Sequence, residues 1–125
     1  MQDFYQRVGG EPVFEELTRT FYKGVATDPI LKPMYPEEDL EPARVRLQLF
    51  LEQYWGGPTS YQETRGHPRL RMRHNSFKIN PAAKAAWLMH MERAVKDLSI
   101  SEMDRDELWN YLERAAHSML NTFED

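Results

Sequence analysis

The sequence predicts an all-α fold. Apolar residues recur at three- and four-residue spacing in several separate stretches. Glycine pairs, prolines and polar caps bound those stretches. No segment alternates apolar and polar residues long enough to make a strand. The 125 residues are one domain's worth, taken as a single unit over 1–125, and long enough to bury one core without disulfides or a structural metal.

The elements follow in order. Residues 2–8 form a short helix ended by Gly9 and Gly10. Pro12 suits the first turn of the next, where Phe14, Leu17, Phe21, Tyr22 and Val25 mark an amphipathic helix to about residue 27. Asp28 before Pro29 caps a short helical turn through Leu31, and Pro33 and Pro36 bracket Met34 and Tyr35 in a compact corner. A third helix covers 37–55, led by acids and buried along Leu40, Ala43, Leu47, Phe50, Leu51 and Tyr54. Gly56, Gly57 and Pro58 stop it. Residues 59–66 are polar and irregular, and Pro68 starts a short helix through His74. Asn80 caps a long helix to about residue 98, with Trp87, Leu88, Met91, Ala94 and Val95 facing inward. Ser101 and Asp104 open the last helix, 102–121, whose buried stripe is Leu108, Tyr111, Leu112, Ala115 and Leu120.

Composition removes several chemistries. With no cysteine there is no thiol catalysis, iron–sulfur cluster, zinc finger, covalent haem attachment or disulfide. No apolar run approaches a membrane span, and the first residues lack the pattern of a secretory signal, so a cytoplasmic protein with no membrane partner is expected. The net charge is −4, yet no acid lies between Glu63 and Glu92, where six Lys and Arg leave the rest of the chain at −10. A basic window in an acidic chain points to a local anionic partner rather than to general nucleic-acid binding.

That window contains "RGHPRLRMRHNSF", from Arg65 to Phe77. On a helix Leu70, His74 and Phe77 stand at i, i+4 and i+7, which frames one imidazole with apolar side chains. Arg69, Arg71 and Arg73 point elsewhere. A flat apolar ligand with a central metal and carboxylates at its rim would use such an arrangement, and haem is one. On spacing alone the arginines read equally well as a solvated face. A shared metal between His67 and His74 is disfavoured by Pro68 and by the lack of a nearby Asp, Glu or Cys. A nucleic-acid surface would want more stacking aromatics than Tyr61 and Phe77. Tyr22, Tyr35, Trp55 and Trp87 read as core by spacing, although buried Tyr and Trp also seek hydrogen-bond partners. There is no phosphate-binding glycine loop and no nucleophile elbow.

Taken together, "FYQRVGG", "RTFYKGVATDPILKPMYPEEDL", "RLQLFLEQYWGGPTSY" and "RGHPRLRMRHNSFKI" resemble the group II, or O-type, truncated haemoglobins of actinobacteria and other bacteria, over about residues 4–120. The resemblance implies a shortened globin, a two-over-two helical sandwich around non-covalent haem b. It implies His74 as the proximal iron ligand, with Tyr22, Tyr35 and Trp87 on the distal side. Ala43 falls where classical globins carry their distal histidine, and Leu47 one turn later, so the histidine gate is absent. Phe50, Leu51, Leu70 and Phe77 are expected around the haem, and Arg46, Tyr61, Arg69 and Arg73 at its propionates.

Function then divides into classes. The first is reversible binding of O2 and other small ligands (NO, CO, peroxide), with a Tyr/Tyr/Trp hydrogen-bond network giving high affinity and slow release. The second is a haem redox enzyme, peroxidase-like or an NO dioxygenase, which would need an external reductase because the chain shows no reductase domain. The third is a haem-free helical binding module. Self-association into a homo-oligomer is compatible with the small size.

Overall fold

The computed structural model describes residues 3–36, 38–59 and 80–119. Those residues contain five α-helices, one short 3-10 turn and no strand: α1 Phe4–Val8, α2 Glu11–Val25, the 3-10 turn Lys32–Met34, α3 Glu41–Tyr54, α4 Pro81–Lys96 and α5 Glu102–Ser118. The expected short helix at 68–74 lies outside them.

Local chemistry explains the boundaries. Asp3 caps α1 by accepting from the Gln6 N–H at 3.0 Å. Gly9 and Gly10, at φ 118° and 74°, make the left-handed corner into α2 that a side chain would resist. Asn80 accepts from the Ala83 N–H at 2.8 Å to open α4, and Ser101 from the Asp104 N–H at 3.1 Å to open α5. The third helix starts at Glu41, four residues later than its acidic lead suggests. Pro42 explains the delay: inside a helix begun at 37 it would lack an N–H for the carbonyl four residues back and would clash with it. Asp39 instead accepts from the Glu41 N–H at 3.0 Å and turns the chain into α3.

Helix α2 packs on both α3 and α4, and α4 packs on α5. Phe14, Leu17, Phe21, Val25, Leu51, Met91, Leu108 and Leu112 form the core. The stripe expected on α2 is buried throughout. On α3 one expected position differs: Tyr54 is 52% exposed and stacks on Tyr111 at 4.0 Å. Helix α1 is tied on two sides. Its Tyr5 N–H donates to the Trp55 carbonyl at 3.0 Å, and Arg7 reaches Asp104 at 3.0 Å and Glu107 at 2.8 Å on α5.

Candidate functional site

The residues expected on the distal side, Tyr22, Tyr35 and Trp87, come from three elements. Tyr22 lies near the end of α2, among the side chains that the 3.6-residue period turns inward. Tyr35 follows the 3-10 turn, where its N–H donates to the Lys32 carbonyl at 3.1 Å. The two phenol oxygens stand 3.3 Å apart, close enough to share a hydrogen bond in which either can donate. The rings meet edge to face at 5.6 Å. Phe21 links them to α4: it contacts Tyr22 at 5.0 Å and the half-buried Trp87 at 5.4 Å. Phe21 therefore bridges Tyr22 and Trp87, and Tyr22 in turn meets Tyr35, although residues 22 and 87 are far apart in sequence.

Helix α3, which packs on α2, carries further expected site residues. Ala43, Leu47 and Phe50 share one of its faces by spacing. Ala43 and Phe50 are buried and Leu47 is half-buried, while Leu51 is enclosed in the core at 1% exposure. Arg46 is half-buried on the same helix. The other expected site residues, namely His74, Leu70, Phe77, Tyr61, Arg69 and Arg73, lie outside the described residues.

Two polar features escape a search for apolar periodicity. The first is a stripe on α3, Arg44, Gln48 and Glu52, all buried. Arg44 Nη1 donates to Thr18 Oγ1 of α2 at 3.2 Å and to Gln48 Oε1 at 2.6 Å, and Gln48 Nε2 donates to Glu52 Oε2 at 3.1 Å. Arg44 also grips the Glu41 carboxylate with two bonds, 2.7 and 2.9 Å, which holds that carboxyl below the usual range. Burial pushes the Glu52 carboxyl up, against the hydrogen bond from Gln48 and with the help of nearby Glu11. The i, i+4, i+8 spacing of Arg, Gln and Glu was the available signal.

The second is Asp28 with His90. Asp28 Oδ2 and His90 Nε2 are 2.6 Å apart and both residues are buried. Asp28 Oδ1 accepts from the N–H groups of Ile30 at 2.7 Å and Leu31 at 3.0 Å, which is the capping role expected of it. Burial alone would raise the Asp28 carboxyl, but the bonds from His90, Leu31 and Ile30 and the His90 charge prevail and hold it below the usual range. No sequence signal links positions 62 residues apart.

The comparisons decide the family. The profile of the family described as Bacterial-like globin matches residues 3–121. The chain belongs to that family. It is 42% identical over 115 residues to the group 2 truncated hemoglobin YjbI of Bacillus subtilis (strain 168), covering 92% of this chain and 86% of that protein. Among solved structures it is similar to a thermostable hemoglobin from the actinobacterium Thermobifida fusca, with TM-score 0.96, 55% identity and coverage of 98% and 100% of the two chains. It is also similar to a truncated oxygen-avid haemoglobin from Bacillus subtilis, with TM-score 0.89, 38% identity and coverage of 96% and 100%. The chain is thus a truncated globin of group II, with the fold the sequence predicted.

A truncated hemoglobin implies haem and a small gaseous ligand. The cluster of Tyr22, Tyr35, Phe21 and Trp87 fits that group. Two phenol hydroxyls meet beside a run of aromatic rings that reaches Trp87 through Phe21. On α3 the small, buried Ala43 stands one turn before the half-buried Leu47, so no bulky polar side chain occupies that position. Among the described residues no group of three His, Cys, Asp or Glu forms a separate metal site, and no helix is long and apolar enough to cross a membrane.

Proposed function

We propose that the protein binds haem b non-covalently through His74 and holds O2 with high affinity and slow release. The absence of cysteine supports non-covalent attachment, since thioether links need thiols. The chemistry the group supplies is reversible coordination of a diatomic gas at its iron. This chain's own residues do the rest. His74 holds the group from the proximal side. Ala43, Leu47, Phe50 and Leu51, with Leu70 and Phe77, exclude water around it. Arg46, Tyr61, Arg69 and Arg73 meet its propionates.

The observation that carries the reading is the Tyr22 and Tyr35 hydroxyl pair, 3.3 Å apart beside the Phe21 and Trp87 contact. O2 itself has no dipole, but bound at such a site it would draw electron density and carry partial negative charge, which O–H and indole N–H donors would stabilise. Tyr35 and Trp87 donate, and Tyr22 orients Tyr35. Each bond contributes on the order of 1–3 kcal/mol, and each 1.4 kcal/mol kept in the bound state slows release roughly tenfold. CO, which carries little charge, gains less. The oxygen-avid description of the Bacillus subtilis relative supports the same direction.

The test is spectroscopic. The purified protein, expressed with adequate haem, shows a Soret band. His74→Gly loses haem affinity, and added imidazole restores the ferrous spectrum. A wild-type protein without a Soret band, or a His74→Gly variant that holds haem as tightly as wild type, overturns the proposal.

A further inference from the structure

Asp28 and His90 meet where the elements that carry Tyr22, Tyr35 and Trp87 come together. From Asp28 an unbroken run of hydrogen bonds reaches Tyr35. The Asp28 carboxylate accepts from Ile30 and Leu31, its carbonyl accepts from the Lys32 N–H at 3.0 Å, and the Lys32 carbonyl accepts from the Tyr35 N–H at 3.1 Å. On its other oxygen Asp28 meets His90, so the acceptor carboxylate takes the Nε2–H of the imidazole. His90 lies three residues after Trp87 on α4 and therefore shares its side of the helix.

The imidazole also presses on α2. A Cβ placed on Gly24 would collide with the His90 ring at Nδ1, Cε1 and Cγ. Gly24 stands two residues after Tyr22, and its missing side chain is what lets His90 cross α2 and reach Asp28. His90 Nδ1 is buried with no hydrogen-bond partner among the described residues, so Asp28 is the polar anchor that fixes the ring. One buried contact thus joins the turn carrying Tyr35, the helix carrying Trp87 and the end of the helix carrying Tyr22.

We propose that Asp28 and His90 are positioning residues for the distal donors, locking the Tyr35 turn to α4 so that Tyr35 and Trp87 hold their ligand together. The proposal rests on the haem and O2 reading above. Asp28 is within reach of solvent on one side, where it borders an open groove with Lys32, Tyr35 and Glu38. The buried His90 contact therefore does what the turn's own hydrogen bonds do not: it sets the turn against a second helix.

The experiment uses the haem-loaded protein with His90→Leu, His90→Gln and Asp28→Asn. Three quantities are read: O2 dissociation, CO dissociation, and hydrogen exchange at the N–H groups of residues 30–35 other than Pro33. His90→Leu raises the O2 dissociation rate about fivefold or more, the scale of one weakened hydrogen bond. Its CO dissociation changes less than about twofold, and exchange at residues 30–35 accelerates. His90→Gln, whose amide can donate to Asp28, restores most of the slow O2 release. Asp28→Asn keeps an oxygen for Ile30 and Leu31 but loses the charged acceptor, so it shifts O2 release in the same direction and answers the question should His90→Leu not fold. O2 release unchanged in both Asp28→Asn and whichever His90 variants fold overturns the proposal, as does an equal rise for O2 and CO, which would be general loosening. A wild type with a Soret band but such variants overturns this inference alone, whereas a wild type without one overturns both.

Discussion

Glu52 is buried behind Gln48 at 3% exposure, and its carboxyl is pushed above the usual range chiefly by that burial. The folded chain therefore takes up this proton more readily than the unfolded one. The resulting stabilisation is fully present below the unfolded value and is lost as pH rises through the raised folded value. Glu52→Gln keeps a partner for Gln48 and removes the buried charge. It is expected to raise the Tm at pH 7 by a few degrees, on the order of 1 kcal/mol, with the gain shrinking toward pH 4. Thermal unfolding followed by circular dichroism at the two pH values checks this, and a gain that does not depend on pH contradicts it. Asp28 has the opposite sign. Its lowered carboxyl contributes stability above the unfolded value that is lost as pH falls through the folded one. Neither behaviour was legible beforehand: Asp28 read correctly as a cap, but its partner sits on another helix.

Among the elements, the crossing of α2 and α4 shows most clearly how close packing outweighs local propensity. Gly24 is helical, and alanine there would favour an isolated helix by about 1 kcal/mol. In the fold a Cβ would strike the His90 ring, which is held from the other side by Asp28. Gly24→Ala is therefore expected to lower stability by about 1–3 kcal/mol, read as a fall in Tm, and a rise in Tm would refute this account of the crossing. Helices were the most legible part of the chain because each carries a periodic apolar stripe and a polar or glycine boundary. The start of α3 was less so, because its acidic lead resembles a first turn while Pro42 forbids one that early. Its buried Arg44, Gln48 and Glu52 were missed because apolar spacing is blind to a polar stripe that satisfies itself.

At the scale of the whole fold, α2 packs on α3 and α4, and α4 on α5, among the described residues; Tyr22, Tyr35 and Trp87, the proposed distal donors, lie where α2, α4 and the Tyr35 turn converge. Sequence motifs singled out Tyr22, Tyr35 and Trp87, but only the fold shows why they can act together: Phe21 touches Tyr22 and Trp87, and Tyr22 touches Tyr35. The proposed donor set would draw on three elements at once, so its effect on a ligand is expected only when all three are in place. Stopped-flow O2 dissociation from the ferrous protein tests that claim most directly, comparing the wild type with Tyr35→Phe, Trp87→Phe and the double variant. Slow release in the wild type, with a rise of roughly tenfold or more in the double variant, is the predicted result. A double variant that releases O2 no faster than the wild type would contradict it.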